Sequence, residues 1–381
     1  MKILLVSMNS IHFQRWTNQL KDSGHEVFWF DILDGNKPEP KLNWVNQITG
    51  WKLKFKYPFR YLIKKQFPKF YNFIQNFNTN STTSVFEKNL LEIQPDVVHS
   101  FALQISCVPI LSVMQKHSSF NWIYSSWGSD MFYSDEIGIN QKEVILCLQR
   151  INYLITDCKR DHNISIEKGF NNVFLGVFPG NGGTNFNKNA IEVYIEDRNV
   201  ILIKGYNDSI GKGINILKAI SENLITLLSD FEIIIFGADQ EIENYLESST
   251  VFSKLNCKVY TKTKFIPNEE LLPIMGKSYI YVANSYSDGI PNALLEAMGM
   301  GAFPIQSNPG SVTSEVIEHE KNGLLISNPD NIKEIEALIK KALLDRNMIK
   351  EAFDLNTKTI KNQYDRAVVR LKILKMYEEI H

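Results

Sequence analysis

The chain has 381 residues, 44% of them hydrophobic, with a formal net charge of −1 at pH 7. That length suggests two domains with cores of ordinary size, and the balanced charge argues against a whole-molecule field built for nucleic acid. The four cysteines, Cys107, Cys147, Cys158 and Cys257, show no C-x-x-C spacing, which fits neither a zinc site nor a disulfide framework and points to a reduced, cytoplasmic protein.

Lys2–Ser7 is a continuous apolar strand of the kind parallel sheets require. Ile3–Val6 is too short for the apolar core of a signal peptide. A helix is predicted from about His12 to Asp22, ended by Gly24, and Glu26–Phe30 is the second strand. This β-α-β opening predicts a doubly wound sheet, with ligands at the carboxyl ends of its strands. Residues 37–90 read as an irregular insertion. Within it, Trp51–Tyr71 holds seven basic residues, eight aromatics and no acid, so the rest of the chain is net acidic. The nearly uncharged run Val97–Met114 contains His99, Gln104 and Pro109, and reads as a buried strand followed by a helix, not a membrane span. Asn121–Ser126 is another strand and leads into Trp127-Gly-Ser-Asp130. Asp130 either orients an acceptor or caps the next segment. Strands at Asn152–Thr156 and Val173–Val177 follow, then a turn-rich stretch from Pro179 to Asn187.

The pattern then restarts. Asn199–Gly205 is a strand, Lys212–Ala219 opens a helix, and Phe231–Phe236 is a strand ended by Gly237. The alternation predicts a second parallel sheet flanked by helices. Glu269–Met275 is a short helix and Tyr279–Ala283 a buried strand. Asp288-Gly289 breaks that strand, and Pro291 suits the first turn of a helix that continues through Asn292–Met298. Gly299 and Gly301 stop the helix before a strand at Ala302–Gln306. A last helix is predicted from about Asn356 to Ile380, its apolar stripe made by Ile360, Tyr364, Ala367, Val368, Leu371 and Leu374.

Asp288 thus lies on a loop at a helix mouth, and Glu296 about a turn and a half inside. Free N–H groups at a helix start attract phosphate. Nearby carboxylates are poor phosphate ligands but good acceptors for sugar hydroxyls. The combination suits a nucleotide-sugar. The plainer alternative is a surface turn followed by a core helix whose glutamate is solvated.

Ser285–Glu315 resembles the signature of the family 4 retaining glycosyltransferases, also called glycosyl transferases group 1. In that family two acidic residues are separated by seven; here they are Asp288 and Glu296, followed by Ala-Met and a small-residue turn. The resemblance implies the GT-B fold: α/β, two facing Rossmann-like domains with parallel sheets, and a C-terminal helix crossing back to the first. The corresponding boundaries are 1–182 on the acceptor side, 183–356 for the nucleotide-sugar, and 357–381 for the returning helix. It further implies that Glu296 holds the ribose, while Asp288 with Gly289, Ile290, Pro291 and Asn292 holds the donor sugar. Lys212 matches the lysine of a Lys-Gly motif that contacts the donor phosphates. Tyr206 stands where the family has an arginine, and Lys204 is close enough in sequence to compensate. His12 lies twelve residues before Gly24, as a histidine often does in the family. Asp288, Lys212 and His12 are therefore the catalytic candidates, and His99, Trp127 and Asp130 the acceptor-side ones. Departures are Asp288 for the usual glutamate, Ser7-Met8 for a Gly-Gly pair, and Trp127 for a histidine.

The implied reaction is transfer of a sugar, with retention, from a UDP- or GDP-sugar to a hydroxyl of a glycan or lipid-linked glycan in cell-surface polysaccharide assembly. No cofactor is expected, and no metal, since the chain contains no Asp-any-Asp triplet. A nucleotide-sugar epimerase of GT-B fold and a non-catalytic partner subunit are the alternatives. Glycine and asparagine residues at Gly180–Gly183 suit a hinge for closure around the donor. Lysines interleaved with aromatics in Trp51–Tyr71 suit an anionic membrane surface on the cytoplasmic leaflet. The alternatives there are a solvated loop with its rings folded into the core, or an RNA-binding patch, for which no accompanying motif exists.

Overall fold

The computed structural model describes residues 1–186 and 193–380. The chain divides into two compact units. The first holds residues 1–157, 161–182 and 373–381; the second holds 158–160 and 183–372.

In the first unit, seven strands form one sheet: β1 Lys2–Ser7, β2 Glu26–Asp31, β3 Asn46–Ile48, β4 Val97–Phe101, β5 Asn121–Ser125, β6 Tyr153–Thr156 and β7 Val173–Val177. Their order is β3-β2-β1-β4-β5-β6-β7, and every pair is parallel. Both faces of the middle strands are covered, so Ile3, Leu4, Leu5 and Val6 are each 0% exposed and no polar alternation interrupts the run. Leu4, Val6, Phe30, Val98 and Trp122 pack on one side against Phe86 and Leu90 of the helix Thr82–Ile93. Strand order reverses between β1 and β4, where a sheet of this kind opens a crevice at its carboxyl edge.

Residues 37–90 are not irregular. They contain β3, paired with β2 through Phe28 and Asn46, and the helices Arg60–Gln66, Pro68–Asn78 and Thr82–Ile93. β3 spans only Asn46-Gln47-Ile48 at the sheet edge, too short to show any period.

Among the described residues the second unit has six parallel strands: β8 Val200–Lys204, β9 Glu232–Ala238, β10 Asn256–Thr261, β11 Ser278–Ala283, β12 Phe303–Ser307 and β13 Leu324–Ile326, in the order β10-β9-β8-β11-β12-β13. β10 and β13 are edge strands that sequence periodicity did not reveal. One core face gathers Ile201, Ile203, Ile233, Ile235, Ile280 and Ile305. The other gathers Leu202, Tyr281, Leu294, Leu295 and Met298.

The single C-terminal helix expected from sequence is two helices, Arg346–Tyr364 and Arg366–Glu378, broken at Asp365 with φ −59° and ψ 140°. Neither glycine nor proline marks the break. Thr184 accounts for it: its amide donates to Tyr364 O (3.0 Å) and its carbonyl accepts from Arg366 N (2.8 Å). The Asp365 carboxylate accepts from Ala367 N at 2.9 Å and caps the new helix. The break rotates the apolar face. Leu371, expected in the stripe, is 72% exposed, and Val369, Ile373, Met376 and Tyr377 are buried instead. Arg366–Lys372 belong with the second unit and Ile373 onward with the first.

Candidate functional site

Donor-side candidates converge at the carboxyl ends of β8 and β11, adjacent strands of the second sheet. β8 delivers Lys204 as its last residue. The chain then folds tightly back. A Cβ on Gly205 would lie 2.7 Å from Ile235 Cγ2, and one on Gly213 2.9 Å from the Gly205 carbonyl carbon. Gly213 N donates to Tyr206 O at 2.9 Å, which seats Lys212 at the start of the helix Gly213–Ala219. The Asp208 carboxylate braces this loop by accepting from Ile210 N (3.0 Å) and Gly211 N (2.8 Å). Lys212 Nζ donates to Asp208 O at 2.9 Å and stands 4.5 Å from the centre of the Tyr286 ring.

Tyr206 occupies a place made by Gly237. With φ +69°, Gly237 lies so close to the ring that a Cβ there would be 1.8 Å from Tyr206 Cε1. Lys204 Nζ and Lys262 Nζ each lie 5.1 Å from the ring centre, a cation–π arrangement. Lys262 also reaches Asp208 and Asp239, at 3.8 and 3.6 Å. Lys262 was missed in the sequence because no motif carries it; only the pairing of β10 with β9 brings it to Tyr206.

Asp288 follows β11. Its carboxylate stands 3.9 Å from Lys204 Nζ, with the side chain 31% exposed. Burial raises its pKa above the ordinary value, while Lys204, the Gly289 amide and Arg160 pull it back. The Gly289 amide is thus directed at the Asp288 carboxylate. Arg160, grouped with this unit, clamps the loop by donating to Asp288 O and Pro309 O, both at 2.9 Å. Pro291 is the N-cap, one residue earlier than expected, and the helix runs Asn292–Gly299.

Glu296 is only 4% exposed, and its Oε2 accepts from Asn268 Nδ2 at 3.0 Å. It is a buried, oriented carboxylate and not a solvated one. Tyr281, also unanticipated, is 0% exposed on β11. Its hydroxyl has no hydrogen-bond partner among the described residues. Burial raises its pKa well above the usual value, and the negative fields of Asp288 and Glu296 add to that. Both acids therefore act on one neutral phenol.

The remaining candidates belong to the first unit. His12 is exposed at the start of the helix Ile11–Thr17, its ring edge-on to Trp127 at 6.2 Å. Trp127 is half-buried and also packs against Phe101 at 5.5 Å. His99 is 0% exposed, with Nδ1 2.5 Å from Tyr377 Oη and Nε2 2.7 Å from Ser125 Oγ. Burial lowers its pKa to about 3, so it is neutral. It ties the C-terminal helix to the sheet. Asp130 is 8% exposed and accepts from Trp127 N (3.0 Å), Leu103 N (2.8 Å) and Tyr124 Oη (2.6 Å). These bonds join three segments, and the helix Ser129–Phe132 has no side-chain cap, so Asp130 braces the loop and does not cap that helix. Burial pushes its pKa up to about 7, against the pull of those donors.

Residues 188–366 match the model of the family described as glycosyl transferases group 1. A Xenopus tropicalis protein described as glycosyltransferase 1 domain-containing protein 1 is 31% identical over 114 residues, 30% of this chain and 30% of that one. Among solved structures, sucrose-phosphate synthase from Thermosynechococcus elongatus has a TM-score of 0.68 at 16% identity, over 100% of this chain and 98% of its own. The lipopolysaccharide outer core galactosyltransferase WaaB gives 0.68 at 14%, over 99% of each chain. Anabaena HepE, solved with UDP and glucose, gives 0.65 at 13%, over 99% of each. These likenesses show the fold, two Rossmann-like units of the GT-B type, and together with the matched domain they support a GT-B glycosyltransferase.

Proposed function

We propose that this protein is a retaining glycosyltransferase that moves a sugar from a nucleotide-sugar to a hydroxyl of a glycan or lipid-linked glycan, in cell-surface polysaccharide assembly. The observation that supports this best is the meeting of Lys204 and Asp288 across two adjacent strand ends, with Lys212 anchored beside them by its amide on Asn284 O and Glu296 buried about a turn and a half into the following helix. In this reading Glu296, oriented by Asn268, accepts from the ribose. Asp288 accepts from hydroxyls of the transferred sugar. Lys204, Lys212 and Lys262 oppose the charge that grows on the leaving diphosphate, the largest electrostatic demand of such a step. Three ammonium groups supply that charge, so the reading needs no resident metal. The solved complex of HepE with UDP-glucose favours a uridine donor by analogy of fold. None of the four cysteines forms a disulfide among the described residues, which fits a reducing compartment, and we place the reaction in the cytoplasm.

A thermal-shift screen against UDP- and GDP-sugars tests this. Ligand that binds only the native state raises stability by RT ln(1 + [L]/Kd), so a true donor at a hundredfold excess over Kd contributes about 2.7 kcal/mol. Sugar transfer that depends on an added acceptor is the expected second result. Conversion of the donor without any acceptor would identify an epimerase instead. No shift with any nucleotide-sugar would identify a non-catalytic subunit.

A further inference from the structure

Residues 51–80 form a helical hairpin with a fixed base and an outer surface that water does not suit. The base begins at Trp51, stacked on Phe30 at 5.0 Å and donating from Nε1 to Asp31 O at 2.9 Å. Lys54 N donates to Asn78 O (2.9 Å) and Asn80 N to Lys52 O (2.8 Å). Asn78 adds a two-way bond to the Phe55 backbone, 2.9 Å in each direction. On the inner side Tyr71 is buried, and its hydroxyl accepts from Arg60 Nη2 at 2.9 Å. The hairpin is therefore held to the sheet by satisfied polar groups.

Its outer side is different. Phe55, Phe59, Tyr61, Phe67, Phe70, Phe73 and Phe77 are 57–76% exposed. Six of the seven exposed phenylalanines among the described residues lie in this hairpin, so the concentration is local. Phe70, Phe73 and Phe77 repeat at i, i+3 and i+7 and make one stripe along the helix Pro68–Asn78. Phe59 is held in the left-handed region at φ 57°, a costly conformation for a ring-bearing residue that nonetheless leaves it 72% exposed. Of the aromatics in 51–71, only Trp51 and Tyr71 are buried. The side chains of Lys54, Lys56, Lys64, Lys65 and Lys69 are exposed among the rings, and no acidic residue occurs from 40 to 86.

We propose that this hairpin docks on an anionic lipid bilayer, its phenylalanines entering at headgroup depth and its lysines meeting the headgroup phosphates. Charge complementarity decides the partner. A cationic patch with no acid suits a dense anionic plane, and rings interleaved with lysines suit an interface that is apolar below and charged above. The helices, 7 and 11 residues long, lie on such a surface and do not span it. Among the described residues no helix is long and apolar enough to cross a membrane. This inference goes beyond the proposed transfer reaction and does not depend on it.

The test is co-flotation of the full chain with vesicles of phosphatidylcholine alone or with 30% phosphatidylglycerol, without any nucleotide-sugar. The expected result is binding only to the anionic vesicles, weakened at least tenfold by raising the salt from about 50 to 500 mM. Two variants are compared: Phe70→Ser with Phe73→Ser and Phe77→Ser, and Lys54, Lys56, Lys64, Lys65 and Lys69 each to Gln. Each is expected to lose at least tenfold in affinity. If the phenylalanine variant does not fold, shown by its circular dichroism, the lysine variant and the salt series still decide. A wild type that stays off anionic vesicles at low salt would overturn the proposal. So would retention by single-stranded RNA without retention by lipid, or unchanged binding by the folded variants.

Discussion

Lys204 Nζ and Asp288 Oδ2 lie 3.9 Å apart, joining the last residue of β8 to the loop that follows β11. The pair is loose for an ion pair, and each side chain keeps some exposure, 22% and 31%. A sugar hydroxyl entering there exchanges one acceptor contact for another without stripping a tight bridge. We expect Asp288→Ala to weaken nucleotide-sugar binding by roughly ten- to a hundredfold, the usual worth of hydrogen bonds to a charged group. The free nucleoside diphosphate, which lacks the sugar, should be nearly unaffected. Titration calorimetry with both ligands checks this, and equal losses would refute the assignment.

Glu296 should behave differently because it serves any donor with the same nucleotide. Glu296→Gln preserves volume and an oxygen for Asn268 but removes the charge from the acceptor. The expected loss is again about ten- to a hundredfold, now for the nucleotide-sugar and the free diphosphate alike. Turnover of the donor at the wild-type rate would show that Glu296 does not hold the ribose.

The two acids were legible from sequence because a local pattern carries them: strand, turn, helix, small-residue stop. Their surroundings were not. Asn268 reaches Glu296 across 28 positions, Lys262 reaches Tyr206 only through the pairing of β10 with β9, and Tyr281 reads as one more apolar strand residue. Long-range partners of this kind follow from sheet order, which a single sequence does not print. The same holds for the broken C-terminal helix. The break at Asp365 is fixed by Thr184, 181 positions away in sequence, and nothing near Asp365 announces it. Short edge strands fail for a different reason: three residues of β3 cannot display a period.

Tyr281 supplies a stability prediction. A buried hydroxyl without a partner costs folding energy of about 1–3 kcal/mol. The neighbouring negative fields of Asp288 and Glu296 leave it protonated throughout the usual pH range. Tyr281→Phe removes the hydroxyl and little volume, so we expect the unfolding free energy to rise by about 1 kcal/mol. Urea unfolding of the two proteins measures it. A clear fall in stability would mean that the hydroxyl is engaged.

Gly237 is required on two counts, its φ of +69° and the Tyr206 ring in the space of its absent Cβ. Gly237→Ala should cost roughly 1–3 kcal/mol through the backbone alone, and more through displacement of the ring. Adding Tyr206→Ala relieves only the second part. The double variant is therefore expected to be more stable than Gly237→Ala alone, and a double variant no more stable would assign the whole cost to the backbone.

His99 gives the pH dependence. Its folded pKa is about 3, lowered by burial, against about 6.5 for an unfolded histidine. Between those values the unfolded chain binds a proton that the native one does not. Stability from this group is thus fully present above pH 6.5 and is lost as pH falls toward 3. At 1.36 kcal/mol per unit, the loss from pH 6.5 to 4 is roughly 3 kcal/mol. Asp130 works in the opposite sense over an overlapping window, because its pKa is raised to about 7 and its ionisation opposes folding as pH rises. His25, whose ring lies 6.1 Å from that of Tyr377, has a lowered pKa and adds in the same sense as His99. Neither contribution changes when His99 alone is replaced. His99→Gln keeps a donor and an acceptor for Tyr377 and Ser125 but cannot titrate. Its stability at pH 7 should be lower than the wild type's, through imperfect packing, while its decline from pH 6.5 to 4 should be shallower by roughly 3 kcal/mol. Urea unfolding at half-unit steps across that window gives both curves. Parallel curves would mean that another group carries the acid sensitivity and that His99 is protonated without cost where it lies.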